Sequence, residues 1–228
     1  LGPASRFAPW QLRDAEIDDD FPKDEPPFFA VHDGALGAPD GVVVYRVKRD
    51  WPEGVPRQRA VLYELLGAVP SAQADLWRFL LDLDLVGAVE AWHRPVDEPL
   101  FRLVREPRAL RMRVVDGLHL AFVDLPTALE ARGYADDGTV VLEVDDPFCP
   151  WNAGRWALRV AGGGAACERT DLEPDVSLTS TDLASTFLGD ATFADLAAAL
   201  RVGGRDGGPA AADAVFASSP APWCWLGI

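Results

Sequence analysis

Short apolar runs broken by Gly, Pro and Asp fill most of the chain, and their periods predict both strands and helices. Residues 28–32 and 42–48 read as strands joined by turn residues at Asp33-Gly34 and 37–41. Val42-Val43-Val44-Tyr45 is apolar at consecutive positions, as in a strand covered on both faces. A third strand over 61–69 follows a Pro-rich loop at 51–56. Leu76, Phe79, Leu80 and Leu83 repeat at i, i+3, i+4 and i+7, predicting a helix over 72–83 with Ser71 as its cap. Residues 85–92 read as a strand, and Asp97 opens a helix over 97–105 with Pro99 in its first turn. Alternating arms at 110–115 and 118–123 around Asp116-Gly117 predict a hairpin.

The pattern then restarts. A helix at 126–134 is followed by strands at 139–144, 155–160, 165–170 and 176–178. Three helices are expected next: 181–188, stopped by Gly189; 192–202, opened by the capping pair Thr192 and Asp195; and 209–217. Strands then helices, repeated, predict an α+β protein of two units with a seam at 116–124, and no internal repeat implies an array. The acidic, Pro-rich residues 1–27 form a lead segment, and Leu1 in place of an initiator Met is read as a trimmed front.

Composition narrows the function classes. With Lys plus Arg at 21 against Asp plus Glu at 36, the net charge of -15 repels nucleic acid and anionic membranes and favours cationic small molecules or basic partners. No run of ~20 apolar residues offers a membrane span. Cys149, Cys167 and Cys224 make no disulfide framework, which points to a reducing compartment. His32, His93 and His119 lack metal-ligand spacing, so no zinc site is expected.

No self-sufficient catalytic motif is present: no nucleophile elbow, zincin helix, phosphate loop or dinucleotide fingerprint. Gly162-Gly163-Gly164 and Gly203-Gly204 read as flexible turns. Three features hold the chemical interest. Residues 145–156, with Phe148, Trp151 and Trp156, read as an elaborate turn filling a core, with a pocket wall as the alternative. His93 is a residue type whose charge changes near neutral pH, but it lies in a strand-exit loop with no nucleophile beside it, which favours a structural role. The chain ends on Trp223-Cys224-Trp225-Leu226-Gly227-Ile228, apolar enough to be drawn inward. The α-carboxylate would travel with it, and desolvation would raise such a group toward general-base range. A plain cover for a hydrophobic groove is the competing reading.

These stretches carry a resemblance. Leu76-Trp77-Arg78-Phe79-Leu80-Leu81-Asp82-Leu83-Asp84, Arg94-Pro95-Val96-Asp97-Glu98-Pro99-Leu100 and Asp146-Pro147-Phe148-Cys149-Pro150-Trp151-Asn152-Ala153-Gly154-Arg155 resemble the Eis (enhanced intracellular survival) type of GNAT acetyltransferases. Tyr45-Arg46-Val47-Lys48 and Ala221-Pro222-Trp223-Cys224 match as well. The resemblance implies an incomplete GNAT-like mixed sheet with helices over 28–117, then a sterol-carrier-protein-2-like α/β domain over 118–228. It implies that a front domain with the acetyl-CoA site and a tyrosine general acid is absent, so the chain alone holds no acetyl-CoA and is inactive. Tyr45, Tyr63 and Tyr134 do not inherit that role.

The resemblance further implies that Ile228, through its terminal carboxylate, is the base for an amine nucleophile, although family members often end in Phe. Asp124 falls where relatives offer acidic contacts to polyamine or aminoglycoside substrates; as a helix cap it needs no such role. Acetyl-CoA is then the co-substrate of the parent enzyme, the partners are a small-molecule amine and the missing front domain, and the setting is a cytoplasmic homo-oligomer, a hexamer in the family. A lipid-binding module and an oligomerisation scaffold are the alternatives.

Overall fold

A computed structural model describes residues 26–35 and 37–224. They form two units: one runs to Gly117 and takes in the chain from Trp223, and the other is Leu118–Pro222. The α+β class expected from the pattern is observed, with a mixed sheet in each unit and six α-helices among the described residues.

In the first unit β1 (Phe28–Asp33), β2 (Pro39–Lys48), β3 (Gln58–Gly67) and β4 (Val86–Ala91) lie in the order β1-β2-β3-β4. The first three are antiparallel, and β4 joins β3 in parallel after the crossover helix α1 (Pro70–Leu81). Such a crossover is needed because a tight turn cannot connect parallel strands. Val43, Val44 and Tyr45 are all buried, so β2 is covered on both faces as its unbroken apolar run implies. A register shift between Val44 and Tyr45 offsets its pairing with β3.

Helix α1 buries Ala72, Leu76, Trp77 and Leu80 against the sheet. Full burial of a leucine such as Leu80 contributes roughly 1.5–3 kcal/mol. Phe79 instead stays 39% exposed and meets Tyr45 edge-on at 5.9 Å, so the buried stripe runs through Ala72 and Trp77 rather than Phe79. The expected Ser71 cap is not used. Val69 occupies the N-cap without a side-chain bond, and Pro70 opens the helix, where its missing N–H goes unneeded.

Two further expectations are corrected here. The helix expected over 97–105 shrinks to α2 (Leu100–Leu103), with Pro99 at its N-cap, because the Glu98 side chain is engaged with Arg94 and Trp77 ahead of it. The hairpin around Asp116-Gly117 does not form: Pro107–Leu110 is a 3-10 turn, and residues 111–122 make no ladder. Its arms fall in different units, and Phe122 and Leu120 serve the second core instead.

The second unit opens with α3 (Leu125–Ala131). Its sheet has the order β7-β6-β5-β8-β9 from β5 (Gly138–Asp145), β6 (Gly154–Ala161), β7 (Gly164–Arg169), β8 (Val176–Thr179) and β9 (Gly203–Gly204). Only β5 and β8 pair in parallel. Helices α4 (Ser180–Phe187), α5 (Phe193–Ala198) and α6 (Gly208–Phe216) complete it. Thr192 caps α5 by accepting from Asp195 N at 3.0 Å, as its sequence pair implies, but the helix ends early, and Leu200 beyond it takes a left-handed conformation. Gly203-Gly204 is a strand rather than a flexible turn. A Cβ on Gly204 would stand 2.2 Å from the Asp175 carbonyl oxygen, so only glycine fits beside β8.

Candidate functional site

In the first unit the strand-exit loop after β4 builds a buried charged cluster. Arg94 and Glu98 are four residues apart, brought together by a turn in which Glu98 N donates to Pro95 O. Arg94 donates through Nε at 2.9 Å and Nη2 at 2.7 Å to Glu98 Oε2, and also reaches Leu65 O on β3. Glu98 Oε1 accepts from Trp77 Nε1 at 3.0 Å and Gln73 Nε2 at 2.8 Å, both on α1. Glu98 is 3% exposed, so this carboxylate is desolvated and held by a forked guanidinium and two neutral donors.

The tail docks on the same cluster. Trp223 donates its indole N–H to His93 O at 2.5 Å. The Arg94 guanidinium lies over the Trp77 ring at 5.8 Å and over the Trp223 ring at 5.9 Å. His93 presents that carbonyl from a left-handed backbone conformation, with φ of 51°, uncommon for a residue with a side chain. What it gives to Trp223 is a backbone oxygen. Cys224 packs on Gly117, where an added Cβ would come 3.1 Å from Cys224 Cβ. Ile228, the expected base, lies outside the described residues.

In the second unit Asp146 and Asn152 organise the β5–β6 connection. Asp146 Oδ1 accepts from Cys149 N at 2.8 Å and Phe148 N at 3.1 Å. Asn152 Nδ2 donates to Asp146 Oδ2 and to Phe122 O, and its Oδ1 accepts from Leu125 N at the start of α3. Burial opposes ionisation of Asp146, but the Cys149 and Phe148 amides, Asn152 and Ser180 outweigh it and hold the carboxyl below its ordinary range. The segment is an elaborate turn, yet the expectation that its aromatics fill a core holds only for Trp156, whose indole donates to Asn152 O. Phe148 is 86% and Trp151 61% exposed, because the turn spends its interior on polar bonds and faces those rings outward.

Asp124 caps α3, its Oδ1 accepting from Thr127 N at 3.1 Å, and is exposed. Tyr45 and Tyr134 are not poised for proton transfer. Burial raises Tyr45, and it pushes Tyr134 up to about 12, with the Tyr134 hydroxyl donating to Leu129 O. His32 is held by Asp40 on β2 at 2.5 Å and Asp75 on α1 at 3.3 Å, and hydrogen bonding to Asp40 raises its pKa above the ordinary value. Cys149 and Cys167 are buried free thiols, both raised by desolvation. Among the described residues no three metal-ligating side chains converge, and no helix is long and apolar enough to cross a membrane.

The Arg94–Glu98 cluster was not singled out from the sequence, although Arg94 and Glu98 lie inside a quoted segment. Its signal is the pairing of Trp77 and Trp223 with an Arg and a Glu in a Pro-rich loop: buried indoles need acceptors, and guanidinium planes stack on them.

A βαβ crossover completing an antiparallel meander, followed by a second α+β unit, is an acyltransferase-like arrangement with an added domain. The chain belongs to the GNAT acetyltransferase family: the model for the acetyltransferase (GNAT) domain matches residues 2–120, and that for the sterol carrier protein domain matches residues 125–225. An uncharacterized N-acetyltransferase of Streptomyces avermitilis is 44% identical over 184 residues, covering 80% of this chain and 45% of that protein. The N-acetyltransferase Eis of Mycobacterium tuberculosis is 36% identical over 176 residues, covering 75% of this chain and 41% of Eis. The crystal structure of Eis1 from Mycobacterium abscessus superposes with a TM-score of 0.68 at 34% identity, covering 89% of this chain and 50% of that one. The chain thus spans 45% of the first of these relatives and 50% of Eis1. GNAT acetyltransferases use acetyl-CoA as acyl donor.

Proposed function

We propose that the chain is the rear portion of a GNAT-type N-acetyltransferase acting on small cationic amines, such as aminoglycoside- or polyamine-like molecules. In this reading residues 28–117 are part of a central GNAT-like domain and residues 118–228 a sterol-carrier-like domain. A front domain holds acetyl-CoA, and this chain delivers the α-carboxylate of Ile228 as general base. The supporting observation is the docking of Trp223 against Arg94 and His93 in the GNAT-matched unit. Ile228 lies five positions beyond Trp223, so covalent geometry keeps the carboxylate within ~18 Å of that dock.

The chemistry is direct transfer. The carboxylate takes a proton from the substrate ammonium, and the free amine attacks the thioester carbonyl. The new C–N bond forms as the C–S bond breaks, the acylated nitrogen sheds its remaining extra proton to solvent, and the CoA thiolate leaves to be protonated by the front domain. The net charge of -15 favours cationic substrates, and Asp124 can give one an acidic contact if the cap opens toward it. The setting is a cytoplasmic homo-oligomer. A lipid-carrier role draws less support, because Phe193, Leu125, Leu129, Leu142 and Leu183 fill the interior of the second unit.

The test is conversion of the Ile228 α-carboxylate to its carboxamide in the full-length acetyltransferase that contains this chain, because deleting the residue would leave a new carboxylate on Gly227. A positioned general base contributes roughly 10²–10⁴-fold, so kcat is expected to fall by about 10²-fold or more. Unchanged turnover would end the proposal for Ile228.

A further inference from the structure

We infer that Arg94 and Trp223 are positioning residues: together they form a dock that fixes the reach of the chain end. The inference deepens the reading of Ile228 as a base and rests on it.

The dock combines ion pairing, ring stacking and a hydrogen bond on one indole. Glu98 takes the Arg94 fork on one oxygen and the two α1 donors on the other. With Nη1 and Nη2 directed at Leu65 O as well, the guanidinium is held in plane, and its face remains for the Trp223 ring. Trp223 then finds an acceptor in His93 O, whose left-handed backbone turns the carbonyl toward it. An indole held by ring face and N–H together is fixed in both position and rotation, which a greasy contact alone would not do. A tail without this clamp would spread the carboxylate over a large volume, lowering its effective concentration at the amine.

Two measurements test this. On the chain itself, the Trp223 indole N–H is assigned in an amide correlation spectrum by its loss in Trp223→Phe. Its exchange with solvent is expected to be at least ~10-fold slower than a free indole's and to accelerate in Arg94→Ala. Arg94→Lys, which keeps the charge but can neither fork nor stack, serves if the alanine variant unfolds. An indole exchanging at the free rate in the unaltered chain overturns the dock.

In the full-length acetyltransferase, Trp223→Phe and Arg94→Lys are expected to lower kcat by about tenfold without moving KM for acetyl-CoA. In a chain whose Ile228 carboxylate is already amidated they should lower it no further, because a positioning residue then has no base left to position. A tenfold loss that multiplies with amidation of the Ile228 carboxylate would assign both residues to general stability and overturn the inference. If amidation of the Ile228 carboxylate itself leaves turnover unchanged, the base falls and the positioning role with it, while indole exchange still decides the dock.

Discussion

Among the buried carboxylates, Glu98 in the first unit and Asp146 in the second each organise a loop, and the two are satisfied in opposite ways. Glu98 is held by side chains from outside its own turn: the Arg94 fork and the Gln73 and Trp77 donors of α1. Asp146 is held mainly from within its own turn, by the Cys149 and Phe148 amides and the Asn152 side chain. A guanidinium partner has a flat face to spare, and in the first unit that face takes Trp223. Amide donors point only at their acceptor and leave nothing over for a ligand. The first carboxylate therefore supports a surface that receives another part of the chain, whereas the second only fixes a shape and displays Phe148 and Trp151 around it.

Breaking the charged cluster gives the largest expected effect. Glu98→Ala takes from Arg94, whose side chain is 12% exposed, its hydrogen-bonded counter-charge, leaving only Glu64 at 4.0 Å, and removes the acceptor of Trp77. Deleting one partner of a buried pair destabilises by about 3–5 kcal/mol. Chemical denaturation followed by tryptophan fluorescence measures this, and a loss under 1 kcal/mol would show the pair to be solvated in solution.

Next comes the neutral turn. Asn152→Ala removes the donor to Phe122 O and Asp146 Oδ2 and the acceptor of Leu125 N, so the turn and the start of α3 lose their brace together. Buried groups left unsatisfied cost about 1–3 kcal/mol each, and partial hydration of the gap brings the expected loss to about 2–3 kcal/mol. Asn152→Asp is the sharper variant, since it keeps the acceptor but faces Asp146 with a second negative charge. It should be no more stable than Asn152→Ala, and the same denaturation measurement checks the order.

The contrast also explains what could be read in advance. β2, α1 and the strands β5 to β8 were legible because each carries a period or an unbroken apolar run over its own residues. Residues 110–123 misled for the same reason. Their alternation is real, but in the second arm it serves burial of Leu120 and Phe122, while Met112 and Val114 of the first arm stay exposed and the arms do not pair. Asp146 and Asn152 lie within a quoted run, six residues apart, yet the aromatics beside them drew the core assignment. The Glu98 cluster was hardest to see. Its members stand at positions 73, 77, 94, 98 and 223, and only the fold brings the last of these to the others. Asp124 was legible as a cap, and a cap is what its geometry displays.

The smallest expected effect is on pH dependence, where the two units should slope in opposite directions. In the first unit, Asp40 on β2 and Asp75 on α1 face His32 from either side, with Arg78 bonded to Asp75. Hydrogen bonding to Asp40 raises the folded-state pKa of His32, with desolvation opposing it. The stabilisation is therefore fully present below the unfolded value of about 6.5 and is lost as pH rises through the higher folded value. The His32 side chain is 23% and that of Asp75 44% exposed, so solvent and salt weaken the clamp. In the second unit the carboxyl of Asp146 is held low, so its contribution is present above about 3.9 and is lost as pH falls through the lower folded value. Glu143, lowered by its bond to Arg155, adds to that acid limb and has to be subtracted through Asp146→Asn. Hydrogen exchange of α1 and of β5 followed from pH 4 to 9 resolves the units separately. α1 should lose protection toward high pH in the unaltered chain but not in His32→Gln, while protection of β5 should fall toward low pH and do so less in Asp146→Asn. If α1 kept its high-pH loss in His32→Gln, the clamp would not be its source, and the first unit would owe its pH response to another group.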